Sequence, residues 1–200
     1  MWLFEVAGRL VFNKSFWQLS HFQPIFEETF CMKTLFIILM MLFVCAVHAQ
    51  SADNSDTIPP YKKTNKIPEF AILKPDSTWF TNKQLPENKP TVIIYFSPDC
   101  GHCQMTAQEF VKEMDKLKNT ELVWVSYHSP IEIKNFAENY KLNRFSNVVL
   151  GRDPNYKIPV FYKIQFTPFM AVYDKKGNFL NAYPQGTSPA VIAKLIKTGK

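Results

Sequence analysis

The segment Thr91-Val92-Ile93-Ile94-Tyr95-Phe96-Ser97-Pro98-Asp99-Cys100-Gly101-His102-Cys103 decides the fold. Its first six residues are β-branched or aromatic without polar alternation, the pattern of a strand covered on both faces in the middle of a sheet. The run ends at two cysteines three apart. Beyond them Phe110, Met114 and Leu117 recur at spacings of four and three with Lys112, Glu113 and Lys116 between, which is the period of an amphipathic helix. A strand that turns directly into a helix places the turn at the carboxyl end of the strand, where open sheets carry their sites.

The cysteine pair reads as chemistry rather than as a structural staple. Of four cysteines, Cys31 and Cys45 lie in the amino-terminal quarter, and only Cys100 and Cys103 belong to the domain proper. A bridge closing so short a loop adds little chain-entropy stabilisation, and a secreted disulfide framework uses several bridges over longer loops. At a helix start, however, the first cysteine meets unpaired backbone N–H groups and the positive end of the helix dipole, which favour a thiolate. Cys100 is therefore the expected nucleophile and Cys103, one turn further in, the resolving thiol. Cys100 attacks a substrate disulfide, and Cys103 then attacks the mixed disulfide, leaving the oxidised Cys100–Cys103 pair. Run backwards, the pair oxidises substrates.

Outward from this segment the elements alternate. Phe70–Leu73 and Thr78–Thr81 read as strands around the turn-forming Lys74-Pro75-Asp76-Ser77. Glu121–Tyr127 is a strand, and Ser129-Pro130-Ile131-Glu132 has the form of a capping box opening a helix toward Leu142. Asn147–Leu150 is a short strand, and Asp153–Ile164 a weak helix interrupted by Pro159. Phe169–Tyr173 and Asn178–Tyr183 are strands joined through Gly177, and Ser188-Pro189 starts a last helix with Val191, Ile192, Leu195 and Ile196 on its buried face. This order predicts an α/β sandwich with a central mixed sheet and helices on both sides. His128 is expected to face solvent after its strand.

The amino-terminal quarter differs in kind. Leu35 to Val47 is an uncharged apolar run, with Met32-Lys33 before it and the small-x-small pattern Val47-His48-Ala49 after it. Its length fits a signal-peptide core better than a membrane span. Residues 32–49 are accordingly expected to be a signal peptide cleaved after Ala49, with an uncleaved anchor as the alternative. Residues 1–31 are aromatic-rich without helical or strand period, and are read as an upstream stretch before a true start at Met32, or as an extended leader. Residues 50–66, polar and containing Pro59-Pro60, are expected to be a flexible linker, and residues 67–200 to be the domain. Export to a periplasm or cell surface follows.

The chain has 200 residues, 46% apolar and 20% charged, which excludes wholesale disorder and a fibrous repeat. The formal charge of +6 is carried by scattered lysines without a stripe of interleaved aromatics, so no nucleic-acid partner is expected.

Tyr95 to Gln104, with Cys100-Gly101-His102-Cys103 at its centre, resembles the active-site strand and helix start of thioredoxin-like proteins, specifically the exported TlpA-like group. Tyr162 to Asp174, containing Thr167-Pro168, resembles a second motif of that family. The resemblance spans about Ile67 to the carboxyl terminus. It implies a thioredoxin-like three-layer sandwich with an amino-terminal β extension and a βα insertion. It also implies a cis proline at Pro168 facing the cysteines, and a backbone at Thr167 that meets the bound substrate segment. Gly101-His102 is the dipeptide of protein disulfide isomerase. An imidazolium at His102 would stabilise the Cys100 thiolate and make the couple more oxidising, whereas TlpA-like relatives act as reductases fed through the membrane.

Reductase is the direction expected. Cysteine-containing exported proteins are the expected partners, with a membrane electron donor. The protein is expected to be a monomer that uses no metal or cofactor beyond its own cysteines. Two departures stand out: Ile94 occupies the place of a buried aspartate in thioredoxin, and Thr106 that of a glutamate common in TlpA-like proteins. Glu109, one turn on, is then the candidate group to deprotonate Cys103. Three alternatives remain: a copper-carrying module using both thiols and a histidine, a peroxidase on the strength of Ser97-x-x-Cys100, and a non-catalytic binding module of the same fold.

Overall fold

The run Thr91–Tyr95 is a strand with every residue buried. It lies parallel to Glu121–Ser126 on one side and antiparallel to Phe169–Tyr173 on the other. The computed structural model describes residues 33–37, 40–41 and 58–199. The expectations for residues 1–31, for the remainder of the 32–49 signal segment and for residues 50–57 lie outside the described residues. Residues 33–37 and 40–41 are helical, and among the described residues no helix is long and apolar enough to cross a membrane.

In chain order the domain comprises α1 (Pro60–Thr64), β1 (Ala71–Leu73), β2 (Trp79–Thr81), β3 (Thr91–Tyr95), α2 (Gly101–Lys112), β4 (Glu121–Ser126), α3 (Pro130–Asn139), β5 (Val148–Arg152), α4 (Lys157–Tyr162), β6 (Phe169–Tyr173), β7 (Phe179–Tyr183) and α5 (Pro189–Thr198). The strands form one sheet in the order β2-β1-β5-β4-β3-β6-β7. Its centre, β5-β4-β3, is parallel, and the pairs outside it are antiparallel. The expected mixed α/β sandwich is thus the observed fold, with β1 and β2 as an amino-terminal extension on one edge.

Alternate residues of β3 feed two cores, which explains its unbroken apolarity. Val92, Ile94 and Phe96 face α2, α3 and α5, where they meet Cys103, Ala107, Phe110, Ile133, Phe136 and Ile192. Ile93 and Tyr95 face α1 and α4, among Tyr61, Ile158 and Tyr162. Trp124 of β4 joins the first core, with Phe96 and Phe110 edge-on to its ring at 5.5 and 5.6 Å. Each such buried side chain contributes about 1.5–3 kcal/mol, so the strand that ends at the cysteines is held from both sides. At Asn147, also buried, Nδ2 donates to the carbonyls of Leu117 and Thr120 at 3.0 and 2.8 Å, closing the turn before β4.

Four details differ from expectation. The ordered domain starts before Ile67: α1 buries Tyr61 against Tyr162 and Phe179, with ring centroids 5.5 and 5.2 Å away, and Lys66 bridges to Asn178. Pro159 does not interrupt a helix but sits in the first turn of α4, where a backbone N–H has no intrahelical partner to lose. Val191 is 43% exposed, because α5 turns Pro189, Ile192 and Leu195 inward and Val191 lies about a third of a turn away. Finally, the apolar period over Phe110, Met114 and Leu117 spans two elements, α2 and a 3-10 turn at Met114–Leu117, and all three side chains are buried.

Candidate active site

Cys100 is the amino-terminal cap of α2. Its backbone is extended, and its Sγ accepts the N–H of Cys103 at 3.3 Å, the place usually taken by a serine or aspartate oxygen. The turn before it is closed by Cys100 N–H donating to the Ser97 carbonyl at 3.2 Å and by Gln104 Nε2 donating to the Pro98 carbonyl at 2.9 Å. From the neighbouring strand β6 comes the peptide Thr167–Pro168, which is cis. The Cys100 thiol donates to the Thr167 carbonyl at 3.5 Å, so the second motif of the sequence does meet the first.

The two thiols differ in the expected sense. Cys100 is half-buried and Cys103 fully buried, and both are free. Burial by itself raises the Cys100 thiol. Hydrogen bonds from the Cys103 and Thr167 side chains and from the N–H groups of Cys103 and His102 outweigh it, and Cys100 titrates below the ordinary thiol value. Cys103 is pushed up to about 12, by burial first and by its bond to Cys100 next. The arrangement therefore holds one thiolate-forming sulfur at the surface and one protonated sulfur directly behind it, as attack followed by resolution requires.

Gly101 and His102 are both exposed, and a side chain at Gly101 would meet nothing within 4 Å. At His102 it is the backbone N–H that acts on Cys100; among the described residues the imidazole has no hydrogen-bond partner. Glu109 is exposed on α2, away from the buried Cys103. Ile94 lies fully buried in the same core as Cys103, so no carboxylate stands in that strand.

A cavity of about 540 Å³ opens beside Cys100, lined by Tyr95, Ser97, Asp99, Tyr127, Tyr156, Phe166 and Thr167 among others. Phe166 and Tyr156 are 61% and 50% exposed, so its rim is aromatic and reaches solvent.

His128 corrects the sequence reading. Rather than facing solvent, its side chain is only 10% exposed. Nε2 lies 3.0 Å from Ser97 Oγ, and Nδ1 lies 3.1 Å from Glu132 Oε1. The parallel β3–β4 register, which pairs Tyr95 with Val125, brings the residues just beyond each strand together. The Ser129–Glu132 capping box then fixes the carboxylate: Glu132 Oε2 accepts the Ser129 N–H at 2.9 Å, leaving Oε1 for the imidazole. A histidine at the end of a buried strand, four residues before the glutamate of a capping box, was the available signal. For a copper carrier, His128 is engaged at both ring nitrogens, and among the described residues no group of three or more His, Cys, Asp or Glu could hold a metal ion.

No curated protein matches the chain. Several solved structures share its fold. A secreted Mycobacterium tuberculosis disulfide oxidoreductase, homologous to E. coli DsbE, is 17% identical, with a TM-score of 0.54 over 64% of this chain and 94% of that one. DsbF of the same organism is 18% identical, with a TM-score of 0.56 over 66% and 95%. A peroxiredoxin-like protein from Aquifex aeolicus is 17% identical, with a TM-score of 0.55 over 68% and 86%. The fold is therefore thioredoxin-like, and since residues 64–192, well over half the chain and both motifs, match the model of the AhpC/TSA family, the chain belongs to that family.

Proposed function

We propose that the protein is an exported thiol–disulfide oxidoreductase that exchanges disulfides with cysteine-containing proteins through Cys100 and Cys103. The observation that carries this reading is the split between the two sulfurs. A half-buried Cys100 held below the ordinary thiol value faces an aromatic-rimmed cavity, with Thr167 across from it and a protonated Cys103 behind. Thr167 forms part of the wall against which a substrate segment lies, with the buried cis Pro168 next to it in the chain. The secreted tuberculosis oxidoreductase of the same fold and the apolar segment before the domain support export. Reduction of substrates, with electrons from a membrane donor, is the preferred direction, because the exposed His102 side chain is not among the groups that hold the Cys100 thiolate.

The test is the equilibrium of the Cys100–Cys103 couple against a glutathione series, with free thiols counted by alkylation and mass. A midpoint near or below about −250 mV supports a reductase, and one above about −200 mV an oxidase or isomerase. An absence of any two-electron couple overturns the reading.

A second reading, peroxide reduction, is favoured by the AhpC/TSA match and by Ser97 standing three residues before Cys100. In it the Cys100 thiolate cleaves the O–O bond, becomes a sulfenic acid, and closes a disulfide with Cys103 as water leaves. Oxidation of the dithiol by hydrogen peroxide faster than by a peptide disulfide would select it.

A further inference from the structure

Behind the cavity wall lies a chain of hydrogen bonds that the thiol chemistry described above does not use. Glu132 Oε1 lies 3.1 Å from His128 Nδ1, and His128 Nε2 lies 3.0 Å from Ser97 Oγ. Ser97 lines the same cavity as Cys100 and is tied to it by the Cys100 N–H donated to its carbonyl. The imidazole is nearly enclosed, with its backbone N–H donated to Ser126 Oγ at 3.3 Å and the Tyr127 ring 4.3 Å from its own.

The protonation pattern follows from the acceptors. Glu132 is held down to about 2, by the Ser129 hydroxyl first and by His128 next, so it is a carboxylate and can only accept. Nδ1 therefore carries a hydrogen and donates it to Glu132. In the neutral ring Nε2 is then the lone pair, and the Ser97 hydroxyl donates to it. This leaves a Ser97 oxygen lone pair free to accept a proton at the cavity wall.

The other charged or titratable groups around the ring are Asp99, whose Oδ2 lies 3.9 Å from Nε2, and Tyr127 with Tyr156 stacked beyond it. Two carboxylates, Asp99 and Glu132, thus flank the imidazole.

We propose that Ser97, His128 and Glu132 form a proton relay for the substrate sulfur that exchanges with Cys100, with the Ser97 hydroxyl as the catalytic group and His128 and Glu132 as positioning residues behind it. The proposal rests on the thiol–disulfide reading and supplies the acid–base group that reading lacks, since Glu109 is exposed and Ile94 carries no charge. In the reductive direction the Cys100 thiolate attacks one substrate sulfur. The Cys100–sulfur bond forms and the substrate S–S bond breaks. The departing sulfur takes the Ser97 hydroxyl proton, and Ser97 takes one from the His128 imidazolium. Cys103 then attacks Cys100 Sγ, the Cys100–Cys103 bond forms, and the second substrate sulfur leaves with the proton that Cys103 gives up. Two electrons pass from the protein dithiol to the substrate, and the two protons, one from His128 and one from Cys103, end on its two thiols. The reverse sequence deprotonates a substrate thiol, so the relay serves either direction.

The test is the single-turnover rate of the reduced full chain with oxidised glutathione, measured from about pH 5 to about pH 9, the span in which an imidazole changes charge. The wild type is expected to show an imidazole limb in this profile. His128→Gln and Ser97→Ala are expected to lose it and to fall about 100-fold near pH 6, at the low end of general acid–base contributions. The double variant is expected to be no slower than either single one, because both break the same chain. Ser97→Thr keeps the hydroxyl and is expected to keep the limb, which separates the relay from a packing role. Cys100 thiolate absorbance is followed in each variant so that a change in the nucleophile is not read as loss of the relay.

If His128→Gln does not fold, Ser97→Ala against Ser97→Thr decides: a limb lost in the first and kept in the second supports the relay, and identical profiles overturn it. Wild-type rates and an unchanged limb in His128→Gln also overturn it, while leaving the thiol–disulfide reading intact. A wild type that exchanges with no disulfide overturns both.

Discussion

The asymmetry of the two thiols can be tested by labelling the reduced protein with a small disulfide reagent. Cys103, titrating near 12, is ionised at about pH 7.5 to roughly 3 parts in 10⁵. A thiol at the ordinary value of 9.0 is ionised there to about 3%, and Cys100 lies lower still, so its thiolate is at least about 1,000 times more abundant. Intrinsic nucleophilicity falls with pKa at a Brønsted slope of about 0.4–0.5, which returns a factor of roughly 15–30 to Cys103 over that gap. The net preference for Cys100 is then at least about 30-fold from ionisation alone. The complete burial of Cys103 against the partial exposure of Cys100 can only widen it.

Short pulses of reagent, quenched with acid and mapped by fragment ions within the peptide that carries both cysteines, measure the ratio directly. Replacing Cys103 by Ala removes one of the hydrogen bonds that lower Cys100, the one from the Cys103 side chain, and keeps the backbone N–H, so the Cys100 labelling rate should rise with pH along a curve shifted upward. Equal labelling of the two sulfurs, a preference for Cys103, or a Cys100 curve with its midpoint above 9 would refute the reasoning.

Two further outcomes follow from the fold. A Cβ at Gly151 of β5 would stand 2.9 Å from Ile72 Cδ1 and Cγ1, so Gly151→Ala should cost about 1–3 kcal/mol by overpacking, read as a lowered urea midpoint; Ile72→Ala in the same chain should cost less than when made alone, and strict additivity of the two would count against the contact. Glu132 is held down to about 2 from 4.5, so the stability it contributes is present above its unfolded value and is lost as the pH falls through that window. Glu132→Gln should therefore show a smaller drop in urea midpoint between pH 7 and acid than the wild type, and an equal drop would mean that the carboxylate is not held.

What was legible in the sequence, and what was not, divides by the range of the interaction. The unbroken apolar run at Thr91–Phe96 announced its own burial, because a strand with a core on each face needs no alternation. The capping box and the prolines at helix starts were equally local, and α3 and α5 begin where Ser129-Pro130 and Ser188-Pro189 put them. The role of His128 was not legible in the same way. Its neighbours Ser97 and Glu132 are 31 and 4 residues away, and only the parallel register of β3 on β4 joins the first of them. Tyr61 was missed for a related reason: its partners Tyr162 and Phe179 lie about a hundred residues further along the chain, and two prolines with several polar residues look like a tether until those rings are placed.

The position of charge around the cysteines carries the last step. In the family resemblance a carboxylate behind the active-site strand serves the resolving thiol, and here that place is filled by Ile94, fully buried with Cys103. Burial raises the Cys103 thiol and Ile94 offers its proton no carboxylate, so that proton leaves only when the sulfur attacks. The titratable groups Asp99, His128 and Glu132 stand instead on the cavity side of the strand, with Ser97 between them and the place where a substrate sulfur arrives. Moving the acid–base function from behind the resolving cysteine to the substrate side changes which step responds to pH. The first exchange, between Cys100 and substrate, should carry an imidazole limb. The second, in which Cys103 hands its proton to the leaving substrate sulfur as it attacks the mixed disulfide, should show no such limb. Trapping the mixed disulfide in rapid-quench samples at low and high pH tells the two apart, since it should accumulate where the second step is the slower one, at the acid end.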